Sequence, residues 1–165
     1  MSLASTYIDS ALHRMISTKE LGDKTFSQLG DRDFFYMPNE SSNSIALIIQ
    51  HMAGNMLSRW VNFLTEDGEK AWRRRDDEFE PQDLSRAQLV ASWEKGWICT
   101  LDAIRALGEA DLVKTIRIRN EPMPALDAIN RQLTHYAYHV GQIVYLGKIV
   151  LDKGWLTLSI PKKKA

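Results

Sequence analysis

Residues 133–148 read LTHYAYHVGQIVYLGK, and the spacing within them decides the fold. His135 and His139 stand four residues apart. On a helix that interval puts both imidazoles on one face, a turn apart, where they can share one metal ion. Gln142 continues the stripe, and Ile143, Leu146 and Val150 adjoin it, so this face points toward protein. Asp127, Asn130, Lys148 and Asp152 gather on another side, which is the solvent face. The pattern predicts a helix from about Ala125 to Leu151, stopped at Lys153-Gly154.

Two histidines at this spacing are also compatible with tolerated residues on a partly buried helix. A second segment shifts the balance. From about Ser44 to Thr65, with Asn43 as N-cap, Ile45, Ile48, Ile49, Met52, Met56, Trp60 and Phe63 leave room for one narrow polar stripe. The stripe is His51, Asn55, Ser58 and Asn62. Three neutral imidazoles buried without partners would cost on the order of 1–3 kcal/mol each. A shared ion turns that penalty into coordination, and helix bundles build metal sites from facing helices in this way. His13 lies about 140° from Ile8 on the first helix and is assigned to the surface.

Two further helices complete the pattern. The first runs from about Ser5 to Leu29, with Ile8, Leu12, Met15 and Phe26 on one face and Gly30 as a C-terminal cap. The third runs from about Leu84 to Leu107, capped by Asp83 or Ser85, and packs through Leu89, Trp93, Trp97, Leu101 and Ile104. Between the second and third lies EDGEKAWRRRDDEFEPQD, charged in both signs and without an apolar period. It reads as a long connection pinned by Trp72 and Phe79, with the Arg73–Arg75 run neutralised by the acids that follow it. VKTIRIR alternates apolar and basic residues as a short extended piece, closed off by Pro122 and Pro124. The tail after Gly154 reads as extended, with Trp155, Leu156 and Leu158 packing back and its three lysines solvated. The expected architecture is all-α, a four-helix bundle in one domain spanning residues 1–165.

Composition excludes several function classes. Lysine plus arginine equals aspartate plus glutamate, 21 against 21, so no broad basic field exists to hold nucleic acid. The single cysteine, Cys99, excludes an intrachain disulfide and sits among Trp97, Ile98 and Leu101 as a buried structural thiol. No signal-peptide pattern and no long apolar run occur, so the expectation is a cytoplasmic protein without membrane contact. Neither a phosphate-binding glycine loop nor a spaced Ser-His-Asp set is present.

Taken with NSIALIIQHMAGNMLSRWVNFLTEDGEKAWRRRDDEFE, the histidine segment gives the chain a resemblance over nearly its whole length. It resembles the DinB-like (YfiT-like) superfamily of four-helix-bundle metalloproteins, and more narrowly a bacterial subgroup of it. The resemblance implies a long crossover between helices two and three. It also implies a divalent metal, commonly nickel or zinc, on His51, His135 and His139, and a homodimer acting on a small molecule.

Three neutral histidines without an acid leave an ion open to an anionic outside ligand, hydroxide or thiolate. By resemblance, the function is a metal-dependent S-transferase that activates a low-molecular-weight thiol. Asn55, Ser58, Arg59 and Gln142 would support the histidines or touch substrate. The alternative is a non-catalytic metal-binding or interaction bundle. Metal occupancy should fall as pH drops through the imidazole range near 6.5.

Overall fold

The structure, a computed structural model, describes residues 2–160; the lysines of the tail lie outside them. Four helices account for most of it: α1 (Leu3–Phe26), α2 (Ile45–Trp60), α3 (Arg86–Arg105) and α4 (Ala125–Leu151). A small hairpin, β1 (Thr115–Ile118) and β2 (Glu121–Pro124), precedes α4. The all-α bundle expected from periodicity is what forms. None of the described helices is long and apolar enough to cross a membrane.

The helix directions follow from side-chain contacts. Lys19 reaches Glu94, Trp93 donates to Asp23 and Arg86 donates to the Phe26 carbonyl, so α1 and α3 are antiparallel. Tyr7 bonds at Leu126 and Asn130 while Thr25 lies against Gly147, so α1 and α4 are parallel. Ile48 shares a groove with Leu146, and Trp60 meets Tyr136, so α2 opposes α4. Hence α2 and α3 run the same way, and the segment between them must return along the bundle. It does so against α2 itself. Ser58 holds the Gly68 carbonyl and the Lys70 amide, Glu78 reaches His51, and Gln50 donates to the Glu80 carbonyl.

The core is aromatic. Trp60, Trp93, Trp97 and Tyr136 are fully buried, with Trp97 edge-on to both Trp93 and Tyr136 at 5.5 Å between ring centroids. All five apolar residues expected on the packing face of α3 are buried.

Several boundaries differ from expectation, each for a local reason. Ser44, not Asn43, caps α2, its Oγ accepting from the Leu47 amide. Ser85 is the cap of α3, in a reciprocal pair with Gln88, and the helix stops at Arg105 rather than Leu107. Gly30 does not cap α1, which ends at Phe26 by tightening into i→i−3 bonds at Gln28 and Leu29. Gly30 instead precedes a single 3₁₀ turn at Asp31–Phe35 with an ordinary negative φ. Helix α2 ends five residues before Thr65 because the backbone turns extended at Val61 and left-handed at Asn62, which removes Asn62 from the polar stripe and exposes it.

In the crossover, Trp72 is 57% exposed and pins nothing. The buried groups there are charged: Lys70, Arg73 and Glu78. Phe79, at the end of a 3₁₀ turn (Asp76–Phe79), does pack inward, on the His51 ring. The alternating VKTIRIR segment is β1, and the prolines expected to end it instead belong to its partner strand, with Ile116 opposite Met123. The two-residue turn Arg119-Asn120 has positive φ at both positions, the geometry a tight hairpin requires. The Asp67 carboxylate accepts both of their amides and ties the hairpin to the crossover. Cys99 is half-buried rather than buried, and burial, then Asp102, raises its thiol pKa. In the tail, Leu156 is anchored through its backbone to Gln28 while its side chain is exposed.

Candidate metal centre

The structure brings His51, His135 and His139 together, each offering a ligand nitrogen within 4.8 Å of the others. Their placement follows from the helices. His51 sits mid-way along α2 on the side facing α4, and the four-residue interval in α4 stacks His135 and His139 across from it. His135 Nε2 lies 3.4 Å from His51 Nε2 and 3.0 Å from His139 Nε2. His13 is exposed, as expected.

The other ring nitrogens are all engaged. His51 Nδ1 is 2.9 Å from Glu78 Oε2, His135 Nδ1 is 3.3 Å from Gln132 Oε1, and His139 Nδ1 is 3.2 Å from Gln142 Oε1. Burial tends to raise the Glu78 pKa, but the hydrogen bonds from Arg73 and His51 and the charge of Arg73 outweigh it and leave it lowered. Glu78 is therefore a carboxylate, which can only accept. His51 Nδ1 accordingly carries the proton and donates it outward, and with the amide oxygens of Gln132 and Gln142 turned toward them His135 Nδ1 and His139 Nδ1 do the same. Three Nε2 lone pairs then face one another within 4.8 Å, an arrangement that is repulsive unless a cation lies between them.

The spacing suits an ion. Two nitrogens bound at about 2.0–2.1 Å with tetrahedral angles stand roughly 3.3–3.4 Å apart. The outward hydrogen bonds are those that orient metal-binding imidazoles and raise their basicity.

Glu78 corrects the expectation that no acid accompanies the histidines. It arrives from the crossover, where Arg73 grips it through Nε to Oε1 at 2.7 Å and Nη2 to Oε2 at 2.8 Å. Arg73 is held in turn by Glu69. The arginine run is thus neutralised as expected, but its first member is buried and belongs to the site. Gly54 on α2 makes room for this carboxylate: a Cβ there would clash with Glu78.

Asn55 is buried and accepts from the Tyr136 hydroxyl, which itself accepts from Trp60. Ser58 does not face the site, since its hydroxyl is used to hold the crossover at Gly68 and Lys70. Gln142 lies where the stripe puts it. Gln132, not singled out from the sequence, performs the same service for His135. Its i−3 position mirrors the i+3 position of Gln142, so helical spacing was signal enough.

The three imidazoles open onto a cavity of about 540 Å³ between α2, α4 and the crossover. Burial, then the neighbouring His139 and His51, with smaller pushes from Arg59 and Arg73, lower the His135 pKa to about 3. Burial and His51 lower that of His139 against the opposing bond to Gln142. Unfolded histidines titrate near 6.5, so between about 3 and 6.5 protons bind the unfolded chain preferentially. The metal-free protein therefore loses stability as pH falls from 7 to 5, read as a declining melting temperature after chelation. A flat profile over that interval would contradict the buried neutral cluster.

These features define the class: a four-helix bundle whose second and fourth helices direct three histidines into an open cavity. The chain belongs to the family described as "Protein of unknown function (DUF1572)", whose model matches residues 2–164. No curated protein matches it.

Proposed function

We propose that this protein is a divalent-metal-dependent enzyme whose ion, nickel or zinc, is held by His51, His135 and His139. The observation that carries the reading is the convergence of three Nε2 atoms whose Nδ1 partners are already committed to acceptors. Three protein ligands beside a cavity match the pattern of catalytic rather than structural sites, which are closed by a fourth ligand. When bound, such an ion lowers the pKa of a water or thiol it contacts.

The chain's own groups do the rest. Glu78, fixed by Arg73, orients His51, while Gln132 and Gln142 orient His135 and His139. Phe79, stacked on His51 at 4.7 Å, excludes water from that ring. The resemblance to DinB-like proteins supports a low-molecular-weight thiol as cosubstrate, attacking an electrophilic small molecule, in a cytoplasmic homodimer.

The test begins with metal analysis of protein purified without chelator or nickel resin. A panel of thiols and electrophiles follows, with and without the metal found. Thiol conjugation that requires metal and is lost in His51→Ala is the expected result. Stoichiometric metal without thiol-dependent turnover, together with a large fall in melting temperature on chelation, would favour the non-catalytic bundle instead.

A further inference from the structure

Arg59 lies eight residues beyond His51 on α2, about 12 Å along the helix axis. It is 3% exposed, and its Nε and Nη1 are buried without a hydrogen-bond partner. It forms no ion pair among the described residues, in contrast to Arg73, Arg75 and Arg119, whose carboxylate partners are all present. A guanidinium does not escape burial by giving up its proton, so this positive charge has been taken out of water with no counter-charge in contact, Glu69 and Asp67 acting on it only from a distance. Gly68 is part of the arrangement. The crossover backbone lies so close over Arg59 that a Cβ at Gly68 would stand 2.5 Å from Nη1.

Arg59 lines the same cavity as the three histidines. Arg131 also lines it, from α4, and likewise has no carboxylate partner among the described residues. No aspartate or glutamate contributes to the wall. In a chain whose formal charges cancel, this is a local concentration of positive charge. An arginine fork matches an oxyanion, carboxylate or phosphate, in both charge and geometry. A buried unpaired cation facing a cavity is a site waiting for its counter-charge.

We infer that the cavity binds small molecules carrying an oxyanion, with Arg59 as the buried anchor for that group and Arg131 as its partner nearer solvent. The inference deepens the proposed function by naming the substrate class. It rests on that reading only for where the reactive end goes, because anion binding itself needs no metal.

The experiment is calorimetric titration of metal-free protein with inorganic phosphate and, separately, with succinate. Zinc titration is carried out in anion-free buffer. The wild type is expected to bind at least one of the two anions, and the stronger of them identifies the headgroup. Arg59→Gln should weaken that binding at least tenfold while leaving zinc binding within about twofold. It should not lower the melting temperature of the anion-free protein, since it removes an uncompensated charge. Arg131→Gln, at an exposed position, should weaken binding several-fold. Equal anion binding by both variants and wild type, or no binding of either anion by wild type, would overturn the inference. Absence of zinc binding with intact anion binding would overturn the metal reading alone.

Discussion

His135→Ala lowers zinc affinity on the order of 100-fold or more and abolishes the rise in melting temperature that zinc produces in the wild type. His135 is the shared neighbour of the trio, 3.4 Å from His51 and 3.0 Å from His139 through Nε2. Its removal leaves two nitrogens for an ion, and Glu78, already engaged by Arg73 and His51, is not free to substitute. Stabilisation by a ligand follows its concentration relative to its dissociation constant, so a 100-fold weaker site gives up about 2.7 kcal/mol of linkage at saturating zinc. The metal-free variant should fold normally, because His135 is only half-buried and its Nε2 meets repulsion rather than a partner. Competition with a chromophoric chelator measures the affinity, and thermal melts with and without zinc measure the linkage. Retention of the zinc-induced shift would mean that His135 is not a ligand.

Glu78→Ala has the second large effect, on two properties at once. It removes the acceptor that orients His51, and loss of such outer partners weakens metal binding on the order of 10–100-fold. It also strips Arg73 of its bidentate partner while the guanidinium stays buried, leaving the more distant Glu69 at 3.4 Å. Breaking a buried pair from one side costs about 3–5 kcal/mol, and the residual contact with Glu69 puts this case near the lower bound. Glu78→Gln separates the two roles. It keeps an acceptor oxygen for His51 but loses the charge that holds Arg73, so it should preserve more metal affinity than stability. Denaturant unfolding without metal and chelator competition with metal read the two quantities independently. Unchanged metal affinity in Glu78→Ala would detach the crossover from the site.

The contrast between these residues explains what could be read from the sequence. His135, His139 and Gln142 lie within one helix, and His51 shares a helix with its apolar neighbours. A 3.6-residue period therefore suffices to put each on the correct face. Glu78 obeys no such period. Its position depends on the crossover folding back along α2, on Ser58 gripping Gly68 and Lys70, and on Gly54 leaving space for a carboxylate. Those are tertiary facts spread across the segment, where every charged residue looks equally solvated.

Asn62 shows the opposite failure, because the period continues through it on paper while the backbone has already turned at φ 51°. The hairpin was half visible. Alternation marked β1, but Pro122 and Pro124 disguised β2, which tolerates them because a two-stranded sheet consists only of edges. Arg59 was noticed for its charge, yet only the structure reveals that the charge is buried and unpaired.

X-ray absorption at the zinc edge of the loaded protein is the decisive measurement of the three-histidine site. The expected result is one ion per chain with three imidazole nitrogens at about 2.0–2.1 Å and the rest of its shell filled from outside the protein. A shell containing the Cys99 sulfur, or fewer than three imidazoles, would contradict it.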